Sequence, residues 1–166
     1  GTKKYSSLEF DSFLGSLGSN IGFGSDLDTS FVSVSSLKSN LDQTLELAKE
    51  AVMFPTFPSN EIARIKKQTL AAFKRDEFRA SSIAFRNIGK LLYGEDHPYG
   101  KLLIGAGVSE TILSIDAEKL SDLHKRALNP QNLTFTVAVD ISIDEIVGLL
   151  ESKFGNWKSE SGGSLR

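Results

Sequence analysis

Two imidazoles, His97 and His124, and no thiol are on offer for chemistry in this 166-residue sequence, which contains no cysteine. That absence removes disulfides, thiolate catalysis, iron–sulfur clusters and every cysteine-based zinc site. It leaves the compartment open, since a cysteine-free chain survives in either redox environment. His97 stands before Pro98 in a turn-like stretch, and His124 lies in a helical stretch with Asp122 and Lys125 beside it. Neither has a second histidine four residues on or a glutamate at ligand spacing, so both read as satisfied or solvated side chains. Gly105-Ala106-Gly107 precedes a helix as a dinucleotide loop would, but the third glycine of G-x-G-x-x-G falls on Glu110, and a plain turn is the better reading. Gly15, Gly18, Gly22 and Gly24 follow a helix instead of opening one, so no helix N-terminus faces them to hold an anion. No G-x-S-x-G elbow makes a serine nucleophilic. Asn132-Leu133-Thr134 fits the glycosylation triplet by chance, because it opens an apolar strand pattern.

The composition sets the frame for these residues. With 40% hydrophobic and 24% charged residues, the chain describes one ordinary globular domain and not a disordered one. Nineteen Lys+Arg against 21 Asp+Glu, a net charge of −2, provide no global basic field for nucleic acid or anionic lipid. No apolar run approaches the ~20 residues of a membrane span.

The elements that must position any site follow from spacing. Ser6-Ser7-Leu8-Glu9 is a capping box, and Phe10, Phe13, Leu14 and Leu17 recur at helical spacing up to Gly18. Ser19 to Leu37 switches to period two, with a polar turn at Ser25-Asp26-Leu27-Asp28, and predicts a β-hairpin. Asn40 with Gln43 opens a second helix, with Leu41, Leu45, Ala48 and Val52 on one face, broken at Phe54-Pro55. Ser59 or Asn60 caps a third through about Phe78, with Ile62, Ile65, Thr69, Ala72 and Phe73 inward and its basic residues solvated. Ala80 to Tyr93 gives a fourth, through Ile83, Ile88, Leu91 and Leu92, and Asp116 caps a fifth around Leu120 and Leu123. Leu133, Phe135, Val137 and Val139 alternate with Thr134, Thr136 and Ala138 as a half-covered strand. Ser142 and Glu145 cap a last helix with Ile146, Val147, Leu150 and Phe154 inward, and Trp157 reads as a packing lid. Three or four strands and six helices, grouped and not alternating, make an α+β fold: a small antiparallel sheet with helices packed on one face. The tail Lys158 to Ser164 has linker composition, so residues 1–157 are expected as a single module and 158–166 as the start of a flexible linker. Gly1-Thr2-Lys3-Lys4 shows neither an initiator methionine nor a signal-peptide pattern, and both ends are expected to continue in a parent protein.

An ordered set of short segments adds to this reading. They are Gly1-Thr2-Lys3, Leu17-Gly18, Pro55-Thr56-Phe57, Leu92-Tyr93-Gly94 through His97-Pro98-Tyr99-Gly100, Gly105, Asn129-Pro130-Gln131-Asn132, Val139-Asp140 and Phe154-Gly155-Asn156-Trp157. The set resembles one half-module of the pitrilysin/insulysin family of zinc peptidases, which includes the mitochondrial processing peptidases and the bc-complex core subunits. In active members an inverted H-x-x-E-H motif lies upstream of the position matching Gly1-Thr2, so the resemblance implies an N-terminally incomplete module. The third zinc ligand and a further glutamate two turns earlier match Ala72 and Ile65. Neither can ligate a metal, and two imidazoles alone hold zinc poorly. Neither the arginine nor the tyrosine by which some halves assist the partner is found around Phe13 to Phe23. Val139 stands where active members tend to have glycine, and Gly22 where they have asparagine.

The resemblance therefore implies a metal-free, catalytically inactive half, with zinc only in an active partner half or subunit. Its partners would be a homologous half-module and a peptide substrate, with no nucleic acid. The strand Ser19, Asn20, Ile21, Gly22, Phe23, Gly24, Ser25 matches the one that holds substrate by backbone pairing in active relatives, and is the candidate docking strand. Its glycines have a plainer reading as a bulge or a tight packing contact. A purely structural assembly module like the core subunits is the alternative, and an active endopeptidase with a shifted ligand register, using Glu61 or Glu77, is the third. The bacterial periplasm or cell envelope follows from the resemblance alone.

Overall fold

The computed structural model describes residues 1–26, 28–101 and 107–158; Gly105 of the resemblance set and the linker at 159–166 lie outside the described residues. The order is α1 (Ser7–Ser16), β1 (Asn20–Ser25), β2 (Ser30–Ser35), α2 (Leu41–Met53), α3 (Ser59–Asp76), α4 (Ala80–Tyr93), α5 (Pro98–Lys101), α6 (Ser109–Ser114), α7 (Ala117–Ala127) and α8 (Ile143–Phe154). It is the α+β arrangement expected, mostly helical, with one two-stranded antiparallel sheet among the described residues. The chain divides into two compact units, one of Gly1–Gly24, Phe31–Phe57 and the stretch from Ser121 on, the other of Ser25–Ser30 and Pro58–Leu120.

In the first unit the capping box forms as read: Ser6 N–H donates to Glu9 Oε2 at 2.8 Å, and Glu9 N–H to Ser6 Oγ at 3.3 Å. Helix α1 ends at Leu17, and Gly18 follows at φ 59, a left-handed turn that a Cβ would disfavour. Leu14 and Leu17 are buried against Leu47 of α2, with Tyr5, Phe10 and Ile21 packed around them. Helix α2 buries Leu45, Ala48 and Val52 of its expected face, and more besides. Leu47, not on the expected face, is its most buried apolar residue at 1% exposure, and Thr44 and Glu50 are buried beside it. Asn40 holds the cap position of α2 without a side-chain cap bond; its Nδ2 donates instead to Leu17 O at 2.8 Å and ties α2 to the end of α1. Lys4 Nζ meets Glu50 Oε1 at 2.6 Å, and Lys153 of α8 meets Asp42 and Glu46 of α2 at 3.0 and 3.4 Å. Burial pulls the Lys153 ammonium down, but the hydrogen bond it donates to Asp42 and the charges of Asp42 and Glu46 outweigh that and hold its pKa above the usual value.

Residues 133–139, expected as a strand, have no pairing partner among the described residues. Alternation sets which side chains share a face, but a strand needs a hydrogen-bonded neighbour, and among the described residues the sheet holds only β1 and β2. Val147, expected inward on α8, is exposed, while Ile146 is buried.

In the second unit α3 runs as expected, except that Pro58 and not Ser59 or Asn60 occupies its cap position, with no side-chain cap bond. Ile65 points outward at 54% exposure, and Phe73 is the buried residue, with the Arg86 guanidinium 4.9 Å from its ring centroid. Helix α4 has the bounds read from the sequence, but its Ile83, Phe85, Leu91 and Leu92 are exposed. The short helices α5 and α6 fall in stretches with too few residues to show a period.

Candidate functional site

Ala72 and Ile65 lie seven residues apart, two turns of α3, which places both positions on one side of the helix. Ala72 is half-buried beside Phe73, and Ile65 faces solvent. Neither side chain carries a donor atom for zinc, so the residues present do not fit the family's metal. Glu61, the nearest carboxylate in a shifted register, is engaged by Arg64, whose Nε and Nη2 donate to Oε2 at 3.0 and 2.7 Å. Glu77 follows the C-terminal end of the same helix, about 24 Å along its axis from Glu61, so the two cannot share one ion. Among the described residues no three histidine or carboxylate side chains are grouped as a metal would require.

The candidate docking strand is β1, joined at Ser19 to the end of α1. Its base is fixed by a hydroxyl cluster: Ser19 Oγ lies 2.7 Å from Thr44 Oγ1, which donates to Ser36 Oγ at 3.0 Å. Ile21 packs on the Leu14–Leu17–Leu47 core, while Phe23 is exposed. A Cβ on Gly22 would stand 2.8 Å from Ser33 Oγ, and one on Gly24 would run into the Phe31 ring. The glycines therefore make room for the neighbouring strand's side chains, and the space over that face of β1 is taken. The edge of β1 opposite β2 has no pairing strand among the described residues, so a backbone could still add there in the plane of the sheet.

Sequence reading missed two further groupings. In the first unit, an open cavity of about 370 Å³ is lined by four distant segments, including Lys3, Phe54, Phe57, His124, Lys125 and Trp157. His124 Nε2 lies 2.7 Å from Val52 O, a contact in which the imidazole must donate. Its ring meets the Phe57 ring edge-on at 5.9 Å, and Phe57 sits at φ 45, a conformation uncommon for a bulky residue. Trp157 is half-buried there, a lining residue as much as a lid. In the second unit, Tyr99 Oη donates to Asp28 at 2.7 and 2.9 Å, and His97 stacks on Tyr93 at 5.3 Å. The hydrogen bond to Asp28, and then its charge, raise the Tyr99 pKa, so this phenol is a fixed donor and not a base. Only the Pro98 turn hinted at this grouping, because Asp28 is distant in sequence.

A family model described as insulinase, peptidase family M16, matches residues 1–105. No curated protein matches the sequence. Among solved structures, an inactive domain of peptidase M16 from Pseudomonas fluorescens has a TM-score of 0.90 at 26% identity, covering 100% of this chain and 40% of that one. A protease from Helicobacter pylori gives 0.84 at 18% identity, covering 100% and 39%. The first half of the periplasmic protease PqqL from Escherichia coli gives 0.83 at 18%, covering 100% and 36%. The last two are likenesses of fold. The chain spans about two fifths of the length of these solved relatives.

Proposed function

The chain belongs to the insulinase family, peptidase family M16, and from that premise we propose that it is a non-catalytic module that pairs with an active homologous half and helps to enclose a peptide substrate. The observation that carries this reading is the pair Ala72 and Ile65 on one side of α3, where active members supply carboxylates. A methyl and a butyl group give a metal nothing to bind, and the carboxylates at Glu61 and Glu77 are too far apart to replace them. The likeness to a domain described as inactive supports the same direction. Residues 1–157 act as the one module in this reading, followed by the linker. The location in this reading is the bacterial periplasm or cell envelope, in keeping with the periplasmic protease that shares the fold. The free edge of β1 is where an extended peptide would lie, taking main-chain hydrogen bonds and tolerating varied sequences.

The purely structural module is a second reading, favoured by one observation: Phe31 and Ser33 fill the space over Gly22 and Gly24, which accounts for both glycines without a ligand. One reconstitution separates the two. Elemental analysis of the purified chain is expected to find no stoichiometric zinc, and addition of the chain to an active M16 half is expected to raise kcat/KM on unstructured peptides. Stoichiometric zinc lost on replacing Glu61 or Glu77 overturns the inactive reading. Unchanged kcat/KM overturns the substrate-enclosing role in favour of the structural one.

A further inference from the structure

We draw no further inference here: the strongest candidate, the open cavity of the first unit lined by Lys3, Phe57, His124, Lys125 and Trp157, carries nothing, because the chain spans about two fifths of the length of its solved relatives and nothing in the structure shows what covers that cavity.

Discussion

At the residue scale, the informative positions are those where one atom decides. Gly24 and Gly15 are both glycines in regular elements, yet their surroundings are opposite. A Cβ at Gly24 collides with the Phe31 ring, while a Cβ at Gly15 has nothing within 4 Å. Gly24→Ala is therefore expected to cost about 1–3 kcal/mol through overpacking. Gly15→Ala, inside α1, should gain about 0.5–1 kcal/mol from helix propensity. Urea unfolding of both variants checks the contrast, and equal effects of one sign would show that Phe31 does not lie over Gly24. Glycines that look alike in the sequence differ here because of a side chain seven residues on. Ala72 and Ile65 are the converse case: they lack donor atoms whatever surrounds them, so residue type alone decides that neither can hold a metal.

Two elements depend on carboxylates that accept backbone hydrogen bonds. Glu9 closes the first turn of α1, and its pKa is lowered chiefly by the Ser6 N–H and then by the Ser6 hydroxyl. Asp26 closes the β1–β2 turn, accepting from the N–H groups of Asp28 and Thr29 at 2.9 and 2.6 Å, which lower its pKa. A native pKa below the unfolded value means the ionised group adds stability that is fully present above the unfolded value, about 4 for carboxylates. That stability is lost as the pH falls through the native value. Melting temperature should therefore fall between about pH 4 and pH 2, and Glu9→Gln together with Asp26→Asn should flatten that slope. An unchanged slope in the double variant would assign acid sensitivity to other carboxylates. The turn and the cap were readable from the sequence because all their partners lie within three residues.

At the scale of the whole molecule, stability gathers where distant segments meet. Leu47 joins α2 to Leu14 and Leu17, which close α1, and to Ile21 of β1. Leu47→Ala should cost about 2–5 kcal/mol, against which Ile65→Ala, at an exposed position, should be nearly neutral. Comparable losses in urea unfolding would contradict this division of core and surface. The sequence by itself determined the caps of α1 and α8, the hairpin, the bounds of α4, the family and the lack of ligand atoms at positions 65 and 72. Each of these depends on residue type or on neighbours within a few positions. Only the tertiary structure decided that Leu47, Thr44 and Glu50 are buried, that Asp28 meets Tyr99, that four segments converge around His124, and that the alternating residues 133–139 find no partner strand among those described. Burial and strand pairing are relations between positions tens of residues apart, and local periodicity fixes which way a side chain points but not what it meets.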